Sequence, residues 1–257
     1  MKWGILLVTT GDREQGMLAA LDSVMKIHPQ AGVTAVLQGY SSDSPVYQHP
    51  QIANVLSYPD GIGPHSARVA ALPGMLDSGL DAIVNMDDDM ELIPETDLRP
   101  SVFRSLVKGV GLVTNNSRRW AKLVPKVIRR HEFIDDPIVE TGGGIAYSAS
   151  TAEIILDGPD LDYLYDDSEW SLRAYLAGLV NQRYFGSLAI HATRTPGGRL
   201  GWIPKKKRAF CDEKYLKPRP RPVIGVEGAE NSYDVYIKVD LKPLAHQVHQ
   251  EKRANLQ

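Results

Sequence analysis

The chain has 257 residues, 43% hydrophobic and 23% charged, which suits a globular protein with enough chain for a sizeable core. A net charge of −2 and a pI near 6.4 exclude a global attraction to nucleic acid or anionic membrane, so any such affinity must come from a local patch. The single cysteine, Cys211, excludes an internal disulfide framework and a cysteine-based zinc site and fits a reducing cytoplasm.

The opening Met1-Lys2-Trp3-Gly4 runs into Ile5 to Val8, a buried-strand pattern too short for a signal-peptide core. No later stretch approaches membrane-spanning length, so a soluble, cytoplasmic protein is expected. Glu14 to Ile27 reads as an amphipathic helix with Met17, Leu18, Leu21, Val24 and Met25 on its apolar face. Val33 to Leu37 and Ile52 to Leu56 follow as strands, separated by the loop Ser41-Ser42-Asp43-Ser44-Pro45. Pro64 suits a helix start, and Ala67, Val69, Ala70, Leu72, Met75 and Leu76 carry that helix towards a stop at Gly79. The apolar run Ala82 to Met86 is then another buried strand. This β, α, β, β, α, β order predicts an α/β fold with a mixed, largely parallel central sheet flanked by helices, whose ligands gather at the carboxyl ends of the strands.

Further along, a helix is expected near Val102 to Val107 and a strand at Val110 to Thr114, with a basic stretch around Arg118-Arg119 and Arg129-Arg130. Thr141-Gly142-Gly143-Gly144 feeds a short strand to Ser148; such a glycine run suits a close backbone approach to a ligand or a plain turn. Ser168 to Leu179 places Trp170, Leu172, Tyr175 and Leu176 at helical spacing, with Gly178 near its end, and Ser187 to Ile190 is strand-like. From Gly197 onwards Lys, Arg and Pro accumulate. The expected organisation is one domain over residues 1–203 and a basic, proline-containing extension over residues 204–257.

The chemistry-bearing feature is Asp87-Asp88-Asp89, which follows the apolar strand and precedes Glu91. Alternation along extended backbone would send Asp87 and Asp89 to one side and Asp88 to the other. Carboxylates that close repel unless one binds a proton or a cation sits between them, and hard cations such as Mg²⁺ or Mn²⁺ prefer oxygen ligands. A solvated acidic turn is the plain alternative. A second carboxylate pair, Asp166-Asp167, stands just before a helix, where free backbone N–H groups hold and orient a carboxylate; either residue could equally be an N-cap.

The segment from Val84 to Pro94, with Asp87-Asp88-Asp89 at its centre, resembles the D-x-D segment of GT-A glycosyltransferases, particularly the large family-two type. Four other segments fit that family in order. Val8-Thr9-Thr10-Gly11-Asp12-Arg13 resembles its first strand and nucleotide-contacting loop, and Gly63-Pro64-His65-Ser66-Ala67-Arg68 its glycine-led helix carrying an arginine. Gly142-Gly143-Gly144-Ile145-Ala146-Tyr147 resembles the glycine-rich segment beside donor sugar and acceptor. Tyr165 to Gly178 is similar to the motif written E-D-x-D-L-x-L-R at the head of the helix holding the catalytic base, with Asp166 in place of the usual Glu and Glu169 in place of the second Asp. The resemblance spans about residues 3 to 200 and implies a GT-A fold.

It also implies roles. A Mn²⁺ or Mg²⁺ ion would be held by Asp89, with Asp87 sharing the metal or nearer the ribose, and His191 as a possible third contact; a histidine merely ending a strand is the alternative. Donor contacts would come from Thr9, Asp12, Arg13, Arg68, Asp87, Asp88, Gly143 and Gly144, and from Arg194 and Arg199 flanking Thr195-Pro196-Gly197-Gly198. Asp167, or Asp166 beside it, would be the general base in an inverting displacement. Arg68 could instead form a salt bridge, and Asp12 could be a turn residue.

The expected donor is a nucleoside-diphosphate sugar, a UDP-sugar favoured. The acceptor is open. Lys205-Lys206-Lys207-Arg208, then Lys214, Lys217, Arg219 and Arg221, with prolines at 204, 218, 220 and 222, could lie along a phosphate backbone. That admits a hydroxymethylated base in DNA beside a saccharide, lipid-linked or small-molecule acceptor. Two other functions compete: a sugar-phosphate nucleotidyltransferase, for which Thr9 to Arg13 is too sparse a nucleotide loop, and a noncatalytic nucleotide-sugar or nucleic-acid binding protein.

Overall fold

The computed structural model describes residues 1–118, 132–136, 139, 144–157 and 166–191; of these, residues 116–118, 166, 168, 169 and 191 are described by backbone alone. Strand β1 (Trp3–Thr10) passes through a short 3₁₀ turn (Gly11–Arg13) into helix α1 (Glu14–Ile27). Strands β2 (Gly32–Gln38) and β3 (Ile52–Tyr58), helix α2 (Pro64–Asp77) and strand β4 (Ala82–Asp87) complete the first half. After it come β5 (Met90–Leu92), α3 (Arg99–Ser105), β6 (Val110–Arg118), β7 (Phe133–Asp135), β8 (Ile145–Ser148), α4 (Ala149–Leu156), α5 (Asp166–Leu176) and β9 (Val180–His191).

All nine strands join one sheet in the order β3-β2-β1-β4-β8-β6-β9-β5, with β7 also paired to β9. Strands β3, β2, β1 and β4 are mutually parallel, β8 is antiparallel to β4 and to β6, and β9 runs parallel to β6. The expected mixed, largely parallel sheet with flanking helices is therefore what forms.

Strand periodicity builds the two layers. Ile5 and Leu7 of β1, Val33, Ala35 and Leu37 of β2, and Ala82, Val84 and Met86 of β4 face α1, where Met17, Ala20, Leu21 and Val24 complete a buried cluster. The intervening Leu6, Val8, Val36 and Ile83 pack with Ala67, Ala71, Leu72 and Met75 of α2, and with Tyr147, Ala152, Ile155, Trp170 and Ala174 from β8, α4 and α5. Each fully buried Leu, Ile, Val or Met contributes about 1.5–3 kcal/mol by leaving water.

The first half follows the expected elements closely, and α1 has the expected bounds. Differences concentrate in the second half. The helix expected near Val102 to Val107 begins at Arg99, because Pro100 favours the first turn. The strand-like Ser187 to Ile190 is only the last part of β9, whose earlier residues Asn181, Gln182 and Arg183 are polar yet buried. They are satisfied within the sheet. Asn181 Oδ1 accepts from Leu112 N at 3.0 Å, and Arg183 Nε and Nη2 donate to Asp136 Oδ2 at 3.0 and 2.8 Å.

Gly11 has a specific duty where β1 turns towards α1. A Cβ there would lie 2.3 Å from the Gly39 carbonyl oxygen, so the loops after β1 and β2 meet backbone to backbone. Gly11→Ala is expected to cost about 1–3 kcal/mol through this forced separation, read as a lower urea midpoint with an unchanged slope.

Candidate active site

Because β1, β2 and β4 are parallel, Thr10, Gln38 and Asp87 end at one edge of the sheet, with Thr10 opposite Gln38 and Val8 opposite Asp87. The starts of α1 and α2 lie at the same edge, since each helix follows a strand or loop that emerges there. The candidate site is assembled from these ends.

The three aspartates do not act alike. Strand β4 stops at Asp87, and Asp88-Asp89 form the turn into β5. Asp87 continues the face of Ile83, towards α2, and accepts a hydrogen bond from Arg68 Nη2 at 2.6 Å. Asp88 pairs with Arg13, which stands just before α1, at 2.9 Å (Nη1 to Oδ1). Since the strand has ended, period two does not govern Asp89. The expectation that grouped Asp89 with Asp87 by strand alternation gives way to a different grouping, in which Arg13 Nη2 reaches Asp89 Oδ2 at 3.1 Å and joins it to Asp88. The cations between these carboxylates are guanidinium groups, and Arg68 takes the salt bridge foreseen as its alternative.

Asp88 is 3% exposed, and its Oδ2 has no hydrogen-bond partner among the described residues. Burial pushes its carboxyl up to about 7, with the positive charge of Arg13 opposing the rise. Thr9 is also buried, its hydroxyl 3.0 Å from Tyr40 Oη. Asp12 is exposed and accepts from Thr10 Oγ1 at 2.6 Å, the turn role.

Several supports escaped the sequence reading. Gln38 Oε1 accepts from Ile62 N at 2.7 Å and Gly63 N at 3.1 Å, while its Nε2 reaches Thr9 O at 3.4 Å, so one buried amide ties the loop after β1 to the start of α2. Asn115 grips the turn before β8: its backbone N–H and its Nδ2 donate to Gly144 O at 3.1 and 3.3 Å, and Ser101 Oγ donates to its Oδ1 at 2.7 Å. Gly144 has φ of 79°, a left-handed value that favours glycine. A polar residue directly after the apolar run Ala35-Val36-Leu37, at the end of β2, was the available signal for Gln38.

Asp166 and Asp167 open α5, and Asp167 is half-buried. Ser171 Oγ donates to the Asp167 carbonyl at 2.6 Å. Trp170, one turn in, packs edge-on against Tyr147 of β8 with centroids 6.1 Å apart and against His65 of α2 at 5.9 Å. The head of α5 is thereby set against the helix that supplies Arg68. His191 is the last residue of β9 and pairs in register with Met90, next in chain to Asp89. Gly143, Arg194, Arg199 and the basic segment after Pro204 lie outside the described residues.

A divalent cation is compatible with this donor set. Among the described residues no three His, Cys, Asp or Glu side chains converge as a cage. Mg²⁺-type sites, however, often need only one or two carboxylates, with substrate phosphates completing the shell. Asp87 and Asp89 supply hard oxygens of that kind.

No protein-family model matches the chain, and no curated protein matches it by sequence. Solved structures do. GalNAc-T7 with UDP, GalNAc and Mn²⁺ superimposes with a TM-score of 0.60 at 14% identity, over 77% of this chain and 45% of that one. The mannosyltransferase PcManGT from Pyrobaculum calidifontis, in complex with GDP-Man and Mn²⁺, gives a TM-score of 0.60 at 14% identity, over 99% and 72%. S. aureus TarS 1-349 gives 0.55 at 14%, over 75% of this chain and 60% of that chain. The chain thus spans roughly half the length of GalNAc-T7 and three fifths of that TarS structure. These likenesses define the architecture: the chain has the GT-A fold of glycosyltransferases.

The raised Asp88 pKa has a consequence for stability. The folded state holds this proton more tightly than the unfolded chain, whose carboxyl has its ordinary value near 3.8, so this group's contribution falls as pH rises from about 4 to about 7 and then levels. Without added divalent cation, Asp88→Asn is therefore expected to gain in Tm relative to the natural chain across that window and no further above it. A difference in Tm that ignores pH would show that Asp88 stays ionised throughout.

Proposed function

We propose that the chain is a metal-dependent, inverting glycosyltransferase that moves a sugar from a nucleoside-diphosphate sugar, UDP favoured, to an acceptor hydroxyl. The observation that carries the reading is the end of β4, where Asp87 and Asp89 stand at the carboxyl edge of a GT-A sheet, each aligned by an arginine from a neighbouring helix start. The structural neighbours that contain UDP or GDP-Man together with Mn²⁺ support the choice of donor class and cation.

In this reading Asp87 and Asp89 hold Mn²⁺ or Mg²⁺, with His191 in the adjacent strand as a further ligand. The cation, when bound, neutralises charge that develops on the departing diphosphate. Thr9, Asp12 and the start of α2 flank the nucleotide, Gly143 and Gly144 lie beside the sugar, and Arg194 and Arg199 contact the diphosphate. Asp167 accepts the proton of the acceptor hydroxyl, with Asp166 the alternative. The acceptor oxygen then bonds to the anomeric carbon as the bond from that carbon to the diphosphate breaks, which inverts configuration in a single displacement. The basic segment at 204–257 is assigned to acceptor contact, which brings hydroxymethylated DNA beside saccharides among the candidates.

A thermal-shift series of nucleoside diphosphates and their sugars, with and without Mn²⁺, is expected to give a metal-dependent rise for one nucleotide. Absence of such a rise for every nucleotide counts against the whole reading. Incubation of that donor with saccharides and with modified DNA, followed by mass spectrometry, then identifies the acceptor. Asp167→Asn should reduce transfer by about 10²–10⁴-fold with donor binding intact; substantial residual transfer would reject Asp167 as the base.

A further inference from the structure

We infer that Arg13 and Asp88 are positioning residues of the cation site: they lock the carboxylate of Asp89 in place from beneath and do not themselves contact donor or metal. The inference rests on the function proposed above, and it gives these two residues a different duty from the donor contact that the family resemblance implies for them.

Depth separates the three aspartates. The Asp87 side chain is 25% exposed and that of Asp89 14%, whereas Asp88 is 4% exposed and enclosed beside Thr9 and Tyr40. A carboxylate that deep is not open to a nucleotide arriving from solvent. What does reach it is Arg13, whose two terminal nitrogens divide their work: Nη1 bonds Asp88 Oδ1 at 2.9 Å and Nη2 bonds Asp89 Oδ2 at 3.1 Å. A guanidinium is planar and rigid, so two bonds from two nitrogens fix its plane, and through it the carboxylate of Asp89.

The backbone beneath is held just as closely. Gly16 of α1 approaches the Asp88 carbonyl so tightly that a Cβ there would lie 3.3 Å from it. The turn that carries Asp89 is therefore pinned to the head of α1 twice, by main-chain packing and by Arg13. Groups that hydrogen-bond a metal-ligating carboxylate set its orientation, and losing them typically weakens metal binding by about 10–100-fold.

Removing either partner alone strands a buried charge and can unfold the chain, so the test removes both. In Arg13→Met with Asp88→Leu the pair is replaced by apolar side chains of similar volume, a kind of exchange that folds tolerate. Free Mn²⁺ is counted by electron paramagnetic resonance in the presence of UDP, with thermal unfolding followed in parallel. The double variant is expected to keep a natural Tm yet bind Mn²⁺ about 10–100-fold more weakly. Arg13→Lys, which keeps the charge and the fold but loses the two-armed fork, should show a smaller loss in the same assay. Mn²⁺ affinity within twofold of the natural chain in the folded variants would make the pair merely structural and overturn the inference. Tighter Mn²⁺ binding would overturn it too, since Arg13 would then be a competitor of the cation. Failure of the natural chain itself to bind Mn²⁺ with UDP, GDP or any other nucleoside diphosphate sinks the parent function and this inference with it, an outcome distinct from the other two.

Discussion

Period two in β4 is the constraint on which the site depends. A strand sandwiched between helical layers must send successive side chains to opposite layers. Through Met86 this buries apolar groups on both sides and sends Asp87 towards α2, while the turn that follows carries Asp88 to Arg13 before α1. A carboxylate that enters a helical layer needs a partner there. The two layers provide one each, Arg68 from the first turns of α2 and Arg13 from the turn before α1. The site is thus an outgrowth of core packing, with charge placed at the strand end and complementary charge at the heads of the two helices that cover the strand.

The same logic explains why the first half of the fold was readable from sequence and the second less so. In β1, β2, β4 and α1 burial is apolar, so hydrophobic runs and helical spacing marked the elements within a residue or two. Strand β9 buries Asn181, Gln182 and Arg183, which are balanced by Ser171 of the preceding helix and by Asp135 and Asp136 far away in sequence. No local pattern records such pairings. Helix α4 was missed for a related reason: its eight residues are too few for a clear period, and its main local cue is Ser148, whose Oγ accepts from Thr151 N at its head. The triplet itself was conspicuous as composition, but its division into Asp87 with Arg68 and Asp88 and Asp89 with Arg13 depended on where β4 stops, and strand ends are weakly encoded.

The supporting residues share a chemistry. Gln38, Asn115 and Ser171 are buried polar side chains, each bonding main-chain groups outside its own element. Each such bond is worth only about 1 kcal/mol net, but leaving its buried partner unpaired costs more. Their effect is therefore less on total stability than on the spread of loop conformations. The loop after β1, the head of α2, the turn at Gly144 and the head of α5 are each held by one of these amides or hydroxyls. Scaffolding of this kind fixes where each of these segments begins or turns.

At that edge charge is met by charge: Asp87 faces Arg68, and Asp88 and Asp89 face Arg13. These interactions are strong, because the groups are only partly screened by water. The guanidinium groups of Arg13 and Arg68 let the three carboxylates stand together at the strand end. A carboxylate as deep as Asp88 would be costly to bury without Arg13 beside it. The pairing explains why the middle residue of the triplet can be an aspartate at all: its carboxylate is turned inward, onto Arg13, while Asp87 and Asp89 keep more of their surface towards water.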